Sequence, residues 1–217
     1  MNQIRELFDV LNKKCQYIVL RNWDDIFNEC IYGNGHNDID VLCESIEEFV
    51  KCTDAVRVHG NKKRDNFIVF LDNISVRFDV RWVGDGYYPL LWERKMLKNR
   101  VINKDDIYTV CPEDYYYTLL YHAFLQKKSL SQEYRAKLVG LRSSKSNDFG
   151  EDVSDEELLK DLKKYLESND LKVEIPQDPV VNINWNNLRK VGQPVYLYRL
   201  VYRYIYILGK RLKKIFK

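Results

Sequence analysis

The stretch His36-Asn37-Asp38-Ile39-Asp40-Val41-Leu42-Cys43 decides how this 217-residue chain is read. Ile39, Val41, Leu42 and Cys43 mark it as a β-strand bound for a core. With a side-chain period of two, Asp38 and Asp40 then project together from the other face. Two carboxylates this close repel each other unless something positive lies between them, and a hard divalent cation with oxygen ligands meets that need. A later strand, Ile74-Ser75-Val76-Arg77-Phe78-Asp79-Val80-Arg81-Trp82, is built the same way, with Arg77, Asp79 and Arg81 on one face and Phe78, Val80 and Trp82 on the other. Laid beside the Asp38 strand, it brings three carboxylates to one or two ions of Mg²⁺ or Mn²⁺. The competing reading of Asp79 is an ion pair with Arg77 or Arg81 on an exposed strand face.

Outward from this stretch, Ile4, Leu7, Phe8 and Leu11 recur at helical spacing, so residues 3–14 are expected to form a helix. Tyr17-Ile18-Val19-Leu20 is a short buried strand. Residues 24–32 open with two Asp suited to a helix start and end at Gly33-Asn34-Gly35, a turn too short for a phosphate-binding loop. Ser45 with Glu48 three residues later predicts a capped helix over 45–55. Strands are expected at 55–59, 67–71 and 74–82, the last two joined through the turn residues Asp72-Asn73 as an antiparallel hairpin. Beyond Pro89 the pattern turns helical: Leu90–Lys98, Tyr115–Lys128 behind the start signal Cys111-Pro112-Glu113-Asp114, and Ser154–Leu166, with a polar break at 142–153. The expected class is α+β, divided into an α/β core at 1–100, a helical domain at 101–175, a Pro- and Asn-rich linker at 176–194 and a tail at 195–217.

The order helix, strand, short helix, strand with Asp-x-Asp, and a third Asp on a later strand resembles the nucleotidyltransferase superfamily with the DNA polymerase β palm, over roughly residues 1–85. Where that superfamily has a Gly-Ser turn for the nucleotide phosphates, this chain has Arg21-Asn22. Tyr17–Trp23, His36–Asp40, Pro112-Glu113-Asp114, Leu119–Ala123 and Lys127 are further similar to nucleotidyltransferase-like proteins of bacterial surface-polysaccharide clusters. More loosely, they resemble LicD and fukutin-related phosphotransferases. The resemblance implies a Mg²⁺-dependent transferase that moves a nucleotidyl or phospho-substituent, such as polyol phosphate or phosphocholine from a CDP-linked donor, to a hydroxyl of a cell-surface glycan or its lipid-linked precursor. Asp38, Asp40 and Asp79 would be catalytic and metal-holding, and Arg21, Asn22, His36, Arg77, Arg81 and Lys127 would meet the donor phosphates. On this reading Asp38→Asn and Asp40→Asn abolish turnover without lowering the melting temperature. Two alternatives stand beside it: an NTP-using nucleotidyltransferase of antibiotic or toxin type, and an inactive membrane-associated scaffold that keeps the fold.

Several of these residues also have plainer readings. His36 either contacts phosphate or caps its loop, and His122 on an aromatic helix reads as a hydrogen-bonded core histidine. Lys127 either reaches the site or, with Lys128, answers the helix dipole.

The chain's 35 Lys+Arg and 32 Asp+Glu give a net charge of +3, and that total conceals a partition. Residues 195–217 hold seven bases and no acid, which leaves 28 bases against all 32 acids in residues 1–194, a net of −4. An acidic body excludes a protein that coats nucleic acid, and no specific nucleic-acid partner is expected. On a helix, Leu197, Leu200, Val201, Tyr204, Ile205, Leu208, Leu212 and Ile215 fall at steps of three and four. With only bases on the polar side, the tail reads as an interfacial helix on an anionic membrane; packing on the body's acidic surface or a dimer contact are the plainer alternatives. Five cysteines, an odd number with no CxxC spacing, read as reduced thiols. Without a signal-peptide pattern or an 18-residue apolar run, the expected location is cytoplasmic, peripheral at the inner face of the membrane.

Overall fold

The computed structural model of the chain describes residues 2–23, 26–29, 38–59, 65–72, 74–146, 153–178, 180–193, 201, 204, 205, 208 and 209. It is an α+β protein in two compact units, Met1–Tyr115 and Tyr116–Lys217.

Among the described residues, unit 1 holds a seven-stranded mixed sheet of order β3-β4-β5-β2-β1-β7-β6. Its strands are β1 (Tyr17–Val19), β2 (Ile39–Cys43), β3 (Val56–His59), β4 (Asp65–Leu71), β5 (Ile74–Trp82), β6 (Val101–Ile102) and β7 (Tyr108–Thr109). β4 and β5 form the antiparallel hairpin expected around residue 72, with Leu71 opposite Ile74. β2 pairs parallel with β5, and β1 parallel with β7. The sheet thus continues past residue 100, the expected end of the core. Two-residue strands such as Val101–Ile102 carry no periodicity of their own, and pairing with a neighbour defines them.

The alternation along β2 and β5 sorts the two faces. Ile39, Val41, Cys43, Phe78 and Val80 enter one core with Phe67 and Val69 of β4. Over that face lie α1 (Asn2–Lys14), contributing Ile4, Leu7, Phe8 and Leu11, and α3 (Ile46–Thr53), whose Phe49 ring meets Phe78 edge-on at 5.4 Å. α3 starts where Ser45 predicts: its side chain accepts from the Glu48 backbone N–H at 3.2 Å. A further short helix, α2 (Ile26–Glu29), lies between β1 and β2 in sequence. On the opposite face, Ile18 and Leu42 sit directly across from each other and are fully buried, and α4 (Leu90–Lys98) packs on β1 and β2. Farther along the sheet that face is open, with Ser75, Arg77 and Phe70 exposed. The boundary between its covered and open halves falls at the acidic positions.

Unit 2 takes up α5 (Pro112–Leu125, whose first turn belongs to unit 1), α6 (Gln132–Ser146), α7 (Asp155–Ser168) and α8 (Trp185–Lys190). Leu119, Leu120, Leu138, Leu158, Leu162, Leu166 and Leu188 are among its buried apolar residues. α6 runs through Ser146, into the stretch expected to be a polar break, and α8 lies within the expected linker. Both are held by contacts that are remote in sequence. Arg142 of α6 binds Asp161 of α7 at 2.9 Å, and Asn187 of α8 donates to the Phe124 carbonyl at 3.0 Å. His122 is buried and hydrogen-bonds Gln126 at 3.1 Å. No helix among the described residues is long and apolar enough to cross a membrane.

Candidate active site

The parallel pairing of β2 and β5 sets Asp40 directly opposite Asp79. Asp38, two residues earlier, shares Asp40's side of the strand, and Arg77 precedes Asp79 by the same step. Arg21 follows β1, whose end is tied to β2 by the Leu20 N–H donating to the Asp40 carbonyl at 2.8 Å. Asn22 comes next with φ 56°, a left-handed conformation that asparagine tolerates better than most residues. A turn that needs positive φ is therefore made here without glycine.

Each acid meets its own guanidinium. Arg21 Nη2 donates to Asp40 Oδ1 at 2.7 Å, Arg81 Nη2 lies 3.1 Å from Asp79 Oδ1, and Arg77 Nε lies 3.6 Å from Asp38 Oδ1. The pairs become steadily more open. The Asp79 side chain is 2% exposed, that of Asp40 15% and that of Asp38 27%. Asp79 and Arg81 thus stand as an ion pair that is buried rather than on an exposed strand face, while Asp38 and Arg77 face solvent.

Tyr87 joins two of the arginines. Its hydroxyl accepts from Arg21 Nη2 at 3.3 Å, and its ring lies 4.4 Å beneath the Arg81 guanidinium. The loop after β5 holds it there. Asp85 Oδ1 accepts from the Tyr87 N–H at 2.7 Å, and the fully buried Glu93 accepts from the N–H groups of Gly84 at 2.7 Å and Tyr88 at 3.1 Å. Gly84 and Gly86 take φ of 88° and 76°, which lets the loop fold tightly onto those two carboxylates. Sequence reading passed over Tyr87, Asp85 and Glu93. The available signal was Gly84-Asp85-Gly86, a turn pattern directly after the strand that carries Asp79.

Of the remaining expected site residues, His36 lies outside the described residues. Lys127 is an exposed side chain of unit 2, just past α5, and its carbonyl accepts from Asn184 at 3.4 Å. Among the described residues, no group of three or more His, Cys, Asp or Glu stands in the arrangement of a metal site. The donor atoms themselves are hard carboxylate oxygens, the chemistry Mg²⁺ selects. Asp38 and Asp40, the two more open acids, are the ones that would hold an ion. Three aspartates and three arginines leave the cluster near charge balance, so it can offer oxygen ligands to a cation or guanidinium forks to a phosphate. Compared with known proteins, the chain matches no family model, no curated protein and no solved structure.

Proposed function

We propose that unit 1 is a polymerase-β-like nucleotidyltransferase core and that the chain transfers a nucleotidyl or phospho-substituent from a nucleotide-activated donor to a hydroxyl of a glycan or its lipid-linked precursor. One observation carries the proposal: Asp40 and Asp79 face each other on adjacent parallel strands, with Asp38 on the same side and arginines at every acid. The element order α1, β1, α2, β2, then a later β5 beside β2, agrees with the order that the resemblance implies.

Mg²⁺ held by Asp38 and Asp40 would neutralise charge on the donor phosphates. In this reading the protein contributes positioning and electrostatics. Arg77, half open to solvent, is placed to meet a donor phosphate. Arg21 is anchored by Asp40 and Tyr87, so its guanidinium is already oriented before any ligand arrives. Asp79 acts as a positioning residue that fixes Arg81, which in turn stacks on Tyr87.

The test is a thermal-shift screen of CDP-, UDP- and NTP-type donors with and without Mg²⁺, because a ligand bound only by the native state raises its stability, by about 2.7 kcal/mol at a hundred times Kd. A donor whose stabilisation needs Mg²⁺ and disappears in Asp38→Asn is expected; a CDP-linked donor favours glycan transfer, and an NTP alone favours small-molecule nucleotidyl transfer. If no donor shifts the melt in either condition, the transferase reading falls. The pairing of all three acids with arginines favours a second reading, an inactive scaffold in which guanidinium groups stand where a cation would. Calorimetry that detects no Mg²⁺ binding supports the scaffold.

A further inference from the structure

We propose that residues 195–217 form an address for an anionic lipid surface, with Val201, Tyr204, Ile205 and Leu208 as the stripe that enters it. This proposal stands apart from the transferase reading, since the scaffold would carry the same stripe. Val201, Tyr204, Ile205 and Leu208 are helical, and the steps between them place all four within an arc of about 100° on a helix of 3.6 residues per turn. Every one of them is turned to solvent: Val201 is 50% exposed, Tyr204 72%, Ile205 61% and Leu208 46%. A helix that packed this stripe on the protein's own body would bury it. Burial of this stripe against the body is therefore not what these residues show.

Charge selects among the remaining partners. Residues 195–217 carry Arg199, Arg203, Lys210, Arg211, Lys213, Lys214 and Lys217 and no acid. A nucleic acid would meet the charge and leave the apolar stripe in water. A neutral lipid surface would take the stripe and leave the charge unanswered. An anionic bilayer supplies both, an acyl boundary that accepts apolar side chains to a depth of about 5–10 Å and a negative surface that strengthens binding about fivefold per base. Tyrosine suits the same boundary, since its ring is apolar and its hydroxyl stays at the headgroups.

The experiment is flotation of the full chain with vesicles of 70% phosphatidylcholine and 30% phosphatidylserine, and with vesicles of phosphatidylcholine alone, at about 0.1 M salt, where surface charges are felt across about 10 Å. Two variants accompany it: Ile205→Asp/Leu208→Asp, which breaks the stripe, and Lys210→Gln/Lys213→Gln/Lys214→Gln, which removes three charges. The unaltered chain should float with the anionic vesicles and far less with the neutral ones. The stripe variant should lose flotation on both. The charge variant should lose about a hundredfold in affinity for the anionic vesicles only. Both variants change solvent-facing positions or tail charges and should keep the far-ultraviolet spectrum and melting point of the parent.

Three results would each overturn the proposal. The first is an unaltered chain that stays with the pellet. The second is a stripe variant that still floats like the parent while the charge variant does not, which marks generic polyanion binding. The third is a stripe variant that turns a vesicle-free oligomer into a monomer, which assigns the stripe to a second copy of the chain.

Discussion

Replacing Asp79 with asparagine removes the carboxylate that faces Arg81 at 3.1 Å and leaves a guanidinium whose side chain is 5% exposed, seated over Tyr87. Breaking a buried pair from one side costs about 3–5 kcal/mol, because the remaining charge stays out of water with that carboxylate gone. In a chain of this size each kcal/mol moves the melting temperature by about 2–4 °C, so a fall of about 6–20 °C is expected. The same reasoning grades the other two acids. Asp40→Asn removes a charged hydrogen bond of 2.7 Å to the nearly buried Arg21 and should cost about 1.5–3 kcal/mol. Asp38→Asn loosens only an open contact of 3.6 Å and should cost about 0–1 kcal/mol. A cluster that depended on a bound cation would behave oppositely once the cation is chelated: its acids would repel, and each asparagine would raise the melting temperature. The assay is differential scanning calorimetry in EDTA, and the double variant Asp79→Asn/Arg81→Met should recover much of the loss. An Asp79→Asn protein that melts at or above the parent temperature would refute the ion-pair reasoning. The expectation that Asp40→Asn leaves the melting temperature unchanged gives way here, because that acid also anchors Arg21.

Three further outcomes follow from other parts of the fold. Asp114→Ala takes away the acceptor of the buried Trp92 Nε1–H, 3.0 Å away, and a contact to Lys95; a loss of about 1–3 kcal/mol should appear in urea unfolding, and an unchanged midpoint would contradict the assignment. Ser154→Ala dismantles the capping box at the start of α7 and should cost about 1 kcal/mol, read from the same titration. Burial pushes the Cys15 thiol from 9.0 up to about 12 and raises the Tyr17 hydroxyl as well. A folded value above the unfolded one means that stability is complete below about pH 9 and drains away as the pH rises toward 12. Cys15→Ala should flatten that alkaline decline in a series of melts, and Cys15 should react with thiol reagents at pH 8 far more slowly than the half-buried Cys52; equal labelling of the two would count against it.

The elements with a strong period of their own were legible in the chain. α1 from Ile4, Leu7, Phe8 and Leu11, α4 at Leu90–Lys98, and β5 at Ile74–Trp82 all lie where their patterns predict, the Ser45 cap marks α3, and α7 lies over the expected Ser154–Leu166. Such signals are local, because a helix or strand shows which residues it will bury through spacing alone. Elements defined by partners were not legible. β6 and β7 are two residues each and exist through pairing, and α8 sits in a stretch whose prolines and asparagines read as irregular.

The same division runs through the candidate site. The sequence by itself determined that Asp38 and Asp40 share a face, that Asp79 lies between two arginines on a like face, and that the tail is basic throughout, since side-chain alternation and charge need no partner. Only the tertiary structure decided that Asp40 stands opposite Asp79, that each acid meets an arginine, and that Tyr87, held by Asp85 in a loop that Glu93 fastens at Gly84 and Tyr88, joins two of them. Those facts depend on strand register and on a loop folding back over many residues, and a one-residue slip in register would place Asp40 beside a core residue instead. Exposure of the Val201–Leu208 stripe belongs to the second kind too, because periodicity says which residues share a face, and only packing says whether anything covers it.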